Sequence, residues 1–220
     1  STTQPGLITA AESMVRMAKH ETADIAIKDV RRAGDAFAAT VRVTNKTGHF
    51  LPSGVGFRRV FVEFVAEDSS GRPVWASGRT DALGFLLDGV TERRLPTENG
   101  VAQRDFQPHY QRIERGDQVQ IYQELLKDSA GYLTTSFLRR VQPVKDNRLR
   151  PRGFDPKLFL ANPSPYIRIL GEVEGDAAND PHYTDPALTG ADEVRYDIRL
   201  PPSDIARIAR VRATLYSQSI

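Results

Sequence analysis

The chain has 220 residues, of which 40% are hydrophobic and 26% are charged, and its formal net charge at pH 7 is only +2. A chain of this length can bury roughly 70% of its unfolded surface without metal or disulfide support, and so small a charge gives no reason to expect nucleic acid or an anionic membrane as a partner. The absence of cysteine excludes disulfides, thiolate zinc sites, cysteine nucleophiles and covalently attached c-type haem on this chain.

The N-terminal segment predicts a helix over residues 7–20. Thr9 and Glu12 have the spacing of a capping box. One side of the helix is apolar, with Ala10, Ala11, Met14, Val15 and Ala18. Residues 1–8 lack the basic and apolar regions of a signal peptide, and no apolar run approaches the about 18 residues of a membrane span. We therefore expect a soluble, already processed or excised piece.

From residue 22 onward the hydrophobic pattern has the period of two that is typical of strands. The predicted strands cover residues 36–44, 58–67, 74–78, 117–124, 132–138, 193–200 and 208–217. Several of these strands alternate apolar and polar residues, which is typical of antiparallel sheets with one face on the core and the other in solvent. The sequence therefore predicts a mainly β fold: an antiparallel two-sheet β-sandwich, Ig-like or jelly-roll-like, with an N-terminal helix against one edge and long irregular loops. Residues 1–21 form the predicted helical segment, and 22–220 the sandwich domain.

Two long regions, 80–116 and 139–166, interrupt the predicted strands. Loops of this length inside a compact domain are usually functional or packed on a partner. The second region begins with a basic run made of Arg139, Arg140, Arg148, Arg150 and Arg152. It lacks the interleaved aromatics of a nucleic-acid surface, so we interpret it as a contact with a partner or with the acidic stretch 172–193 of the same chain.

Histidines are the first candidates for a functional site. His49 lies in the turn Asn45-Lys46-Thr47-Gly48-His49, directly after the strand predicted at 36–44, and His109 lies between Pro108 and Tyr110. Each could be a metal ligand, which needs a partner on the second ring nitrogen, or a hydrogen-bonded brace of its loop. The four histidines of the chain have no metal-site spacing, so the sequence leaves both interpretations open.

A calcium site in the acidic loop is the second candidate. Its oxygen ligands would come from Asp176, Asn179, Asp180 and Asp185. Their spacing differs from that of an EF-hand, and a solvated loop is the favoured interpretation. No Gly-x-Ser-x-Gly elbow is present, and the segment around Gly54 lacks the lysine and the following helix of a phosphate loop.

Taken together, several segments resemble the non-haem β-domain near the C-terminus of periplasmic multihaem c-type cytochromes. The resemblance is strongest in LTTSFL at 133–138 followed by KDNRLRPRGFD at 145–155. It also includes residues 45–54, 58–59, 70–78, 108–110, 117–122, 190–196 and 215–220. The resemblance covers nearly the whole chain, and the order of the segments is more specific than any one of them.

The resemblance implies a bacterial protein in the periplasm or outside the cell, with a role in electron transfer. Members of that family carry Cys-x-x-Cys-His haem sites upstream, and this chain has none. It implies that haem c is on an upstream or partner segment, that the helix at 1–21 links to it, and that the chain itself is a non-catalytic domain that docks against it. His49, and secondly His109, would then supply an axial ligand to a haem of the neighbouring domain. The alternatives are a stand-alone extracellular ligand-binding module without haem and a hydrolase with an unrecognised active site.

Overall fold

Ten strands form two sheets in the computed structural model, which describes residues 5–54, 56–98, 100 and 103–219. The strands are β1 (Ala23–Ala33), β2 (Ala36–Asn45), β3 (Arg58–Glu67), β4 (Pro73–Ser77), β5 (Arg112–Ile113), β6 (Ile121–Lys127), β7 (Leu133–Thr134), β8 (Gln142–Asp146), β9 (Ala191–Arg199) and β10 (Arg210–Ser219). The helices are α1 (Pro5–His20), α2 (Pro156–Leu160), α3 (Pro165–Arg168), α4 (Pro181–Thr184) and α5 (Pro202–Arg207). The predicted mainly β, two-sheet class is confirmed. Those parts of the sequence predictions that fall on 1–4, 55, 99, 101–102 and 220 lie outside the described residues.

The first sheet has the strand order β1-β2-β9-β5. β1, β2 and β9 are antiparallel, and the two residues of β5 add to β9 in parallel. β2 alternates strictly, because every second residue from Phe37 to Val43 is buried. In β9, Val194, Tyr196 and Ile198 face the same core.

The second sheet has the order β10-β3-β6-β7, with β4 also paired to β3 and β8 to β6. Its central strand β3 is buried at nine of its ten residues, and therefore on both faces. The face toward the first sheet forms the main core, where the rings of Phe64 and Tyr196 stack with centroids 4.2 Å apart. Trp75 packs edge-on against both rings.

The other face of the second sheet is covered by residues 80–98, which we call the covering segment. Leu86 and Leu95 of this segment pack with Phe61, Val119 and Ile121 in a second apolar cluster. The first part of the predicted 80–116 loop is therefore packed on the same chain. Burial of these apolar residues holds the segment in place and contributes about 25 cal/mol for each Å² of apolar surface removed from water.

Two surface features complete the fold. The predicted N-terminal helix is confirmed as α1, but its apolar residues are not covered by the described residues, and Met14 and Val15 are 70% and 52% exposed. β1 carries a bulge between Lys28 and Arg31, where Asp29 has a positive φ of 52°. Among the described residues, the helices are too short or too polar to traverse a bilayer.

Candidate functional site

The turn after β2, which we call the histidine turn (residues 45–52), is organised by the buried side chain of Asn45. Its Oδ1 accepts hydrogen bonds from the backbone N–H of Thr47 at 2.9 Å and the Thr47 hydroxyl at 2.7 Å. Its Nδ2 donates to the carbonyls of His49, Leu149 and Arg150, at 2.7, 3.0 and 3.3 Å. A single amide therefore fixes the turn internally and ties it to the segment after β8.

A backbone bridge strengthens the same connection. The N–H of Leu51 donates to the carbonyl of Leu149 at 2.9 Å, and the N–H of Leu149 donates back to Leu51 at 2.8 Å. Both residues are buried. The histidine turn therefore has a fixed position, although it lies outside the named strands.

The imidazole of His49 is exposed and has a defined tautomer. Its Nδ1 lies 2.9 Å from the carbonyl oxygen of Phe50, and since a carbonyl only accepts, Nδ1 carries the proton. Thr47 Oγ1 lies 3.3 Å from the same nitrogen. No residue among those described hydrogen-bonds to Nε2, and the residue is exposed, so its lone pair is free of partners among them. Metal-ligating histidines have this arrangement, in which one nitrogen donates to a backbone carbonyl and the other binds the metal.

Aromatic and arginine side chains surround the base of the histidine turn. The ring of Phe50 meets that of Phe154 edge-on at 5.5 Å, and Phe154 stacks on Phe159 at 4.6 Å. The guanidinium groups of Arg148 and Arg150 lie 5.2 and 5.9 Å from the centre of the Phe50 ring. Such contacts hold cations over aromatic faces, so these two arginines pack against the base of the histidine turn.

The five arginines of the predicted partner contact separate into two groups. Arg148 pairs with Asp146 and Glu124, and the buried Arg150 donates to the carbonyls of residues 171 and 172. Arg139, Arg140 and Arg152 are exposed. The first group holds the fold together, and the second is available to a partner.

His109 is buried, in contrast to His49. Its Nε2 lies 2.9 Å from Asp180 Oδ2, while its Nδ1 lies 2.9 Å from Gln120 Nε2 and 3.1 Å from Asn147 Nδ2. Because both amides present N–H groups to it, Nδ1 is an acceptor and Nε2 carries the proton. Both nitrogens are therefore engaged inside the protein.

The orientations of the two amides follow from their other bonds. Gln120 Oε1 accepts the backbone N–H of Tyr110 at 2.8 Å, and Asn147 Oδ1 accepts that of Gln123 at 3.0 Å. Turning either amide over would place two donors or two acceptors against each other. The tautomer of His109 is thus determined by the backbone around it.

Asp192 completes this buried network. Gln120 Nε2 and the Tyr122 hydroxyl donate to its Oδ2 at 3.0 and 2.8 Å, and burial raises the pKa of its carboxyl group. His109, Asp180 and Asp192 are the one group of three metal-type ligands within the described part of the chain. However, the Gln120 amide already donates to both His109 Nδ1 and Asp192 Oδ2. The network is therefore built as a hydrogen-bonded brace between loops and strands.

Lys145 is a second buried ionisable group near the network. Its ammonium donates to the carbonyls of Gln107 at 2.9 Å, Ile121 at 2.8 Å and Pro108 at 3.3 Å. Burial lowers the pKa of Lys145 to about 7. Its three carbonyl partners nevertheless match the three N–H donors of the charged form, and this lysine anchors the segment that carries His109.

The residues of the predicted calcium site lie in different surroundings. Asp176, Asn179 and Asp185 are exposed, and Asp185 Oδ1 accepts the N–H of Ala187. Asp180 faces inward and begins α4 by accepting the N–H of His182 at 2.8 Å. Neither Asp176 nor Asp185 belongs to the ligand cluster found among the described residues. The calcium site stays a prediction.

Sequence reasoning did not identify Asn45, Gln120, Asn147 or Asp192 as site residues. Asn45 had a signal, because an asparagine at the end of a strand with a glycine three residues later is typical of a side-chain-stabilised turn. The others had none, since Gln120 and Asp192 are 72 residues apart in the chain and meet only in the fold.

No protein-family model and no curated protein matches this sequence. Among solved structures, the chain is similar to the crystal structure of a penta-heme cytochrome c552 from Thermochromatium tepidum, with 15% sequence identity and a TM-score of 0.49. The match covers 92% of this chain and 33% of that chain, so the chain spans about a third of the length of that cytochrome. A likeness at this level carries no argument about function.

Proposed function

We propose that this chain is a non-catalytic docking domain of a periplasmic multihaem c-type cytochrome and that His49 supplies an axial ligand to a haem of the neighbouring haem-bearing segment. The resemblance of the ordered sequence segments motivates the proposal. The observation that carries it is the His49 imidazole, whose Nδ1–H is bound to a backbone carbonyl and whose Nε2 is open and exposed. The chain has no cysteine, so the haem would be attached elsewhere.

His49 fits this role better than His109. An iron bound at either nitrogen of His109 would displace hydrogen bonds to Asp180, Gln120 or Asn147 inside the protein. A buried polar group left without its partner costs about 1–3 kcal/mol. Ligation through His49 Nε2 displaces no hydrogen bond to a described residue, so we assign the ligand role to His49 and the brace role to His109.

The region 137–170 supplies the proposed docking surface. It exposes large apolar side chains, with Leu138 at 97% and Tyr166 at 87%. The other exposed apolar residues are Phe137, Val141, Leu158, Leu160, Ile167, Ile169 and Leu170. Large apolar side chains that are exposed in this number favour an interaction site. Arg139, Arg140 and Arg152 add positive charge that suits the propionate groups of a haem edge.

The test is a titration with a haem c peptide that has one axial histidine of its own and an open sixth position. We expect the wild-type chain to convert this high-spin haem to the low-spin form with two axial histidines, as the Soret band reports. We expect His49→Ala to bind the peptide about tenfold more weakly or not at all, since it loses the iron–nitrogen bond. His20→Ala is the matched control, because His20 is also exposed and lies at the end of α1.

Two outcomes would contradict the ligand role. Equal titrations of wild type and His49→Ala would mean that His49 does not reach the iron. A loss of about 1–2 kcal/mol of stability in His49→Ala with an unchanged haem spectrum would identify the residue as a brace of its turn.

A second candidate function is a stand-alone extracellular module that binds a small ligand without haem. The observation that favours it is a cavity of about 310 Å³ beneath the covering segment, with Phe85, Phe106 and Leu125 among its apolar lining residues. The cavity and the histidine turn are built from different residues, so each candidate can be tested without the other.

A further inference from the structure

Asp192 is a fully buried acid with hydrogen-bond donors on only one of its two oxygens. Its residue is 0% exposed and shares the core-facing side of β9 with Val194 and Tyr196. Its Oδ2 accepts two hydrogen bonds, whereas its Oδ1 has no partner among the described residues. No lysine or arginine of the described chain pairs with it either. A carboxylate buried without an opposite charge is far more costly than a neutral acid in the same place.

A second buried acid lies next to Asp192 and has more donors. One oxygen of Asp192, one oxygen of Asp180 and one ring nitrogen of His109 all lie within 4.8 Å of one another. Asp180 accepts hydrogen bonds from His109 Nε2 and from both the backbone N–H and the ring Nδ1 of His182. Two carboxylates this close repel each other when both are ionised, and the one with fewer donors holds a proton more readily. The geometry therefore favours Asp180 as the anion of the pair.

The other titratable groups that face Asp192 supply no positive charge to it. Three of them are phenols, whose burial raises the pKa of each and keeps it neutral: Tyr122 of β6, Tyr183 of α4 and Tyr196 of β9. His182 can be positive, but its Nδ1 lies 3.0 Å from Asp180 Oδ1 and offsets the charge of that carboxylate. An ionised Asp192 would therefore be an uncompensated charge in the core.

His109 is the remaining neighbour, and its protonation disfavours a metal ion as the compensating charge. Its Nδ1 faces the N–H groups of Gln120 and Asn147, so this nitrogen is closed to a metal. Its Nε2 could bind a metal only after losing the proton that it donates to Asp180. The ring would then have no proton on either nitrogen and would add a negative charge of its own. The cluster therefore suits a proton better than a divalent cation.

We propose that Asp192 is a proton-binding site and makes the fold sensitive to pH, which goes beyond the docking role. In the folded protein it is a neutral carboxylic acid with its proton on Oδ1, because Oδ2 accepts from Gln120 and Tyr122. When the pH rises, this proton passes to solvent, and the carboxylate that remains repels that of Asp180. The hydrogen-bonded brace around His109 then weakens.

The direction of the pH effect follows from linkage. Burial is the main cause that raises the pKa of Asp192 above 3.8. The folded protein therefore keeps a proton that the unfolded chain loses above pH 3.8, so the stability conferred by this proton is lost as the pH rises through the folded pKa. One proton of difference changes the unfolding equilibrium constant by up to about tenfold per pH unit.

The experiment compares urea unfolding of wild type and Asp192→Asn from pH 4 to 9. Asparagine has the shape of the neutral acid, its oxygen can accept the same two hydrogen bonds, and it does not ionise. We expect similar stability of the two proteins at pH 4. At pH 9 we expect the variant to be more stable, by about tenfold or more in the unfolding equilibrium constant.

Asp197→Asn is the matched control. Asp197 is an aspartate of the same strand on its outer side, where it pairs with Arg112 and Arg195. Because these arginines compensate its charge, this variant should not become more stable than wild type at any pH in the range. A gain equal to that of Asp192→Asn would mean that the effect comes from net charge and not from the buried site.

Infrared spectroscopy detects the proton itself. At about pH 6 exposed aspartates and glutamates are ionised, and we expect folded wild type to show the C=O band of a protonated carboxyl group that Asp192→Asn lacks. Absence of this band from wild type, or an Asp192→Asn protein less stable than wild type across the whole pH range, would overturn the proposal. Stabilisation of wild type but not of Asp192→Asn by calcium chloride or zinc chloride would also overturn it, since a metal ion would then hold Asp192.

Discussion

Replacing Asn45 by alanine is expected to lower the free energy of unfolding by about 3–4 kcal/mol, since its three bonds to carbonyls and its two bonds from Thr47 are lost at once. The measurement is urea unfolding with linear extrapolation to water. Asn162→Ala is the matched control, because the side chain of Asn162 makes one hydrogen bond, in which it accepts the N–H of Ser164. We expect that variant to lose no more than about 1 kcal/mol.

Asn45→Asp refines this test. Aspartate keeps the acceptor for Thr47 but places a buried carboxylate oxygen against the carbonyls of His49, Leu149 and Arg150, so its stability should be no higher than that of Asn45→Ala. Both variants should also weaken binding of the haem peptide, because the turn no longer holds His49 in place. A stable Asn45→Ala protein with unchanged haem binding would show that the backbone bridge at Leu51 suffices.

Replacing Asp180 by asparagine is expected to lower the free energy of unfolding by about 4 kcal/mol near pH 6. Its Oδ2 accepts from His109, and its Oδ1 accepts from both the backbone N–H and the Nδ1–H of His182. An asparagine has only one acceptor oxygen, so its NH₂ group must face donors on one side. Hydrogen bonds to a charged group are worth about 1.5–3 kcal/mol, and at least one such bond is replaced by two donors that face each other.

The pH dependence of this effect follows from two shifted groups. Burial opposes ionisation of Asp180, yet hydrogen bonds from His109 and His182 lower the pKa of its carboxyl below 3.8. This contribution to stability is present above pH 3.8 and is lost as the pH falls toward the folded pKa. The bond to Asp180 raises the pKa of His182 above 6.5, so its contribution is present below pH 6.5 and is lost as the pH rises through the folded pKa.

We therefore expect the difference between wild type and Asp180→Asn to be largest between about pH 4 and 6.5. Unfolding in urea from pH 3 to 8 measures it. Asp185→Asn is the matched control, because Asp185 is exposed and caps only a turn in the same loop. A difference that stays constant across this range would mean that neither His182 nor Asp180 titrates with folding.

The sequence predicted strands with a strong apolar pattern: β3 has the predicted bounds 58–67 although it is buried on both faces, whereas the strand predicted at 117–124 is shifted to Ile121–Lys127. β2, β9 and β10 lie within two residues of their predicted bounds, because apolar side chains at every second position leave one choice of face. β8 was missed, since its segment Gln142–Asp146 contains a proline and no alternation, and it is a strand only because β6 lies beside it. Residues 132–138 were predicted as a strand, yet only Leu133 and Thr134 pair with β6.

For the candidate site too, only the part determined by local sequence could be predicted. The glycines and the proline after β2 predicted a turn at His49, because such residues determine turns locally. The opposite environments of His49 and His109 were not predictable, since both follow from contacts across the fold. The burial of His109 depends on Asp180, 71 residues later, and on amide groups from two other segments.

The bulge in β1 has a consequence for how the protein can assemble. β1 ends the first sheet, and an uncovered edge strand offers its backbone to a strand of another molecule. Here Asp29 and Val30 together face Ala39 of β2, and Lys28, Arg31 and Arg32 surround them with positive charge. An added strand would have to follow the irregular backbone and accept these charges, which disfavours intermolecular sheet extension and aggregation through this edge. At this edge, partners are left with the side-chain surface of the first sheet.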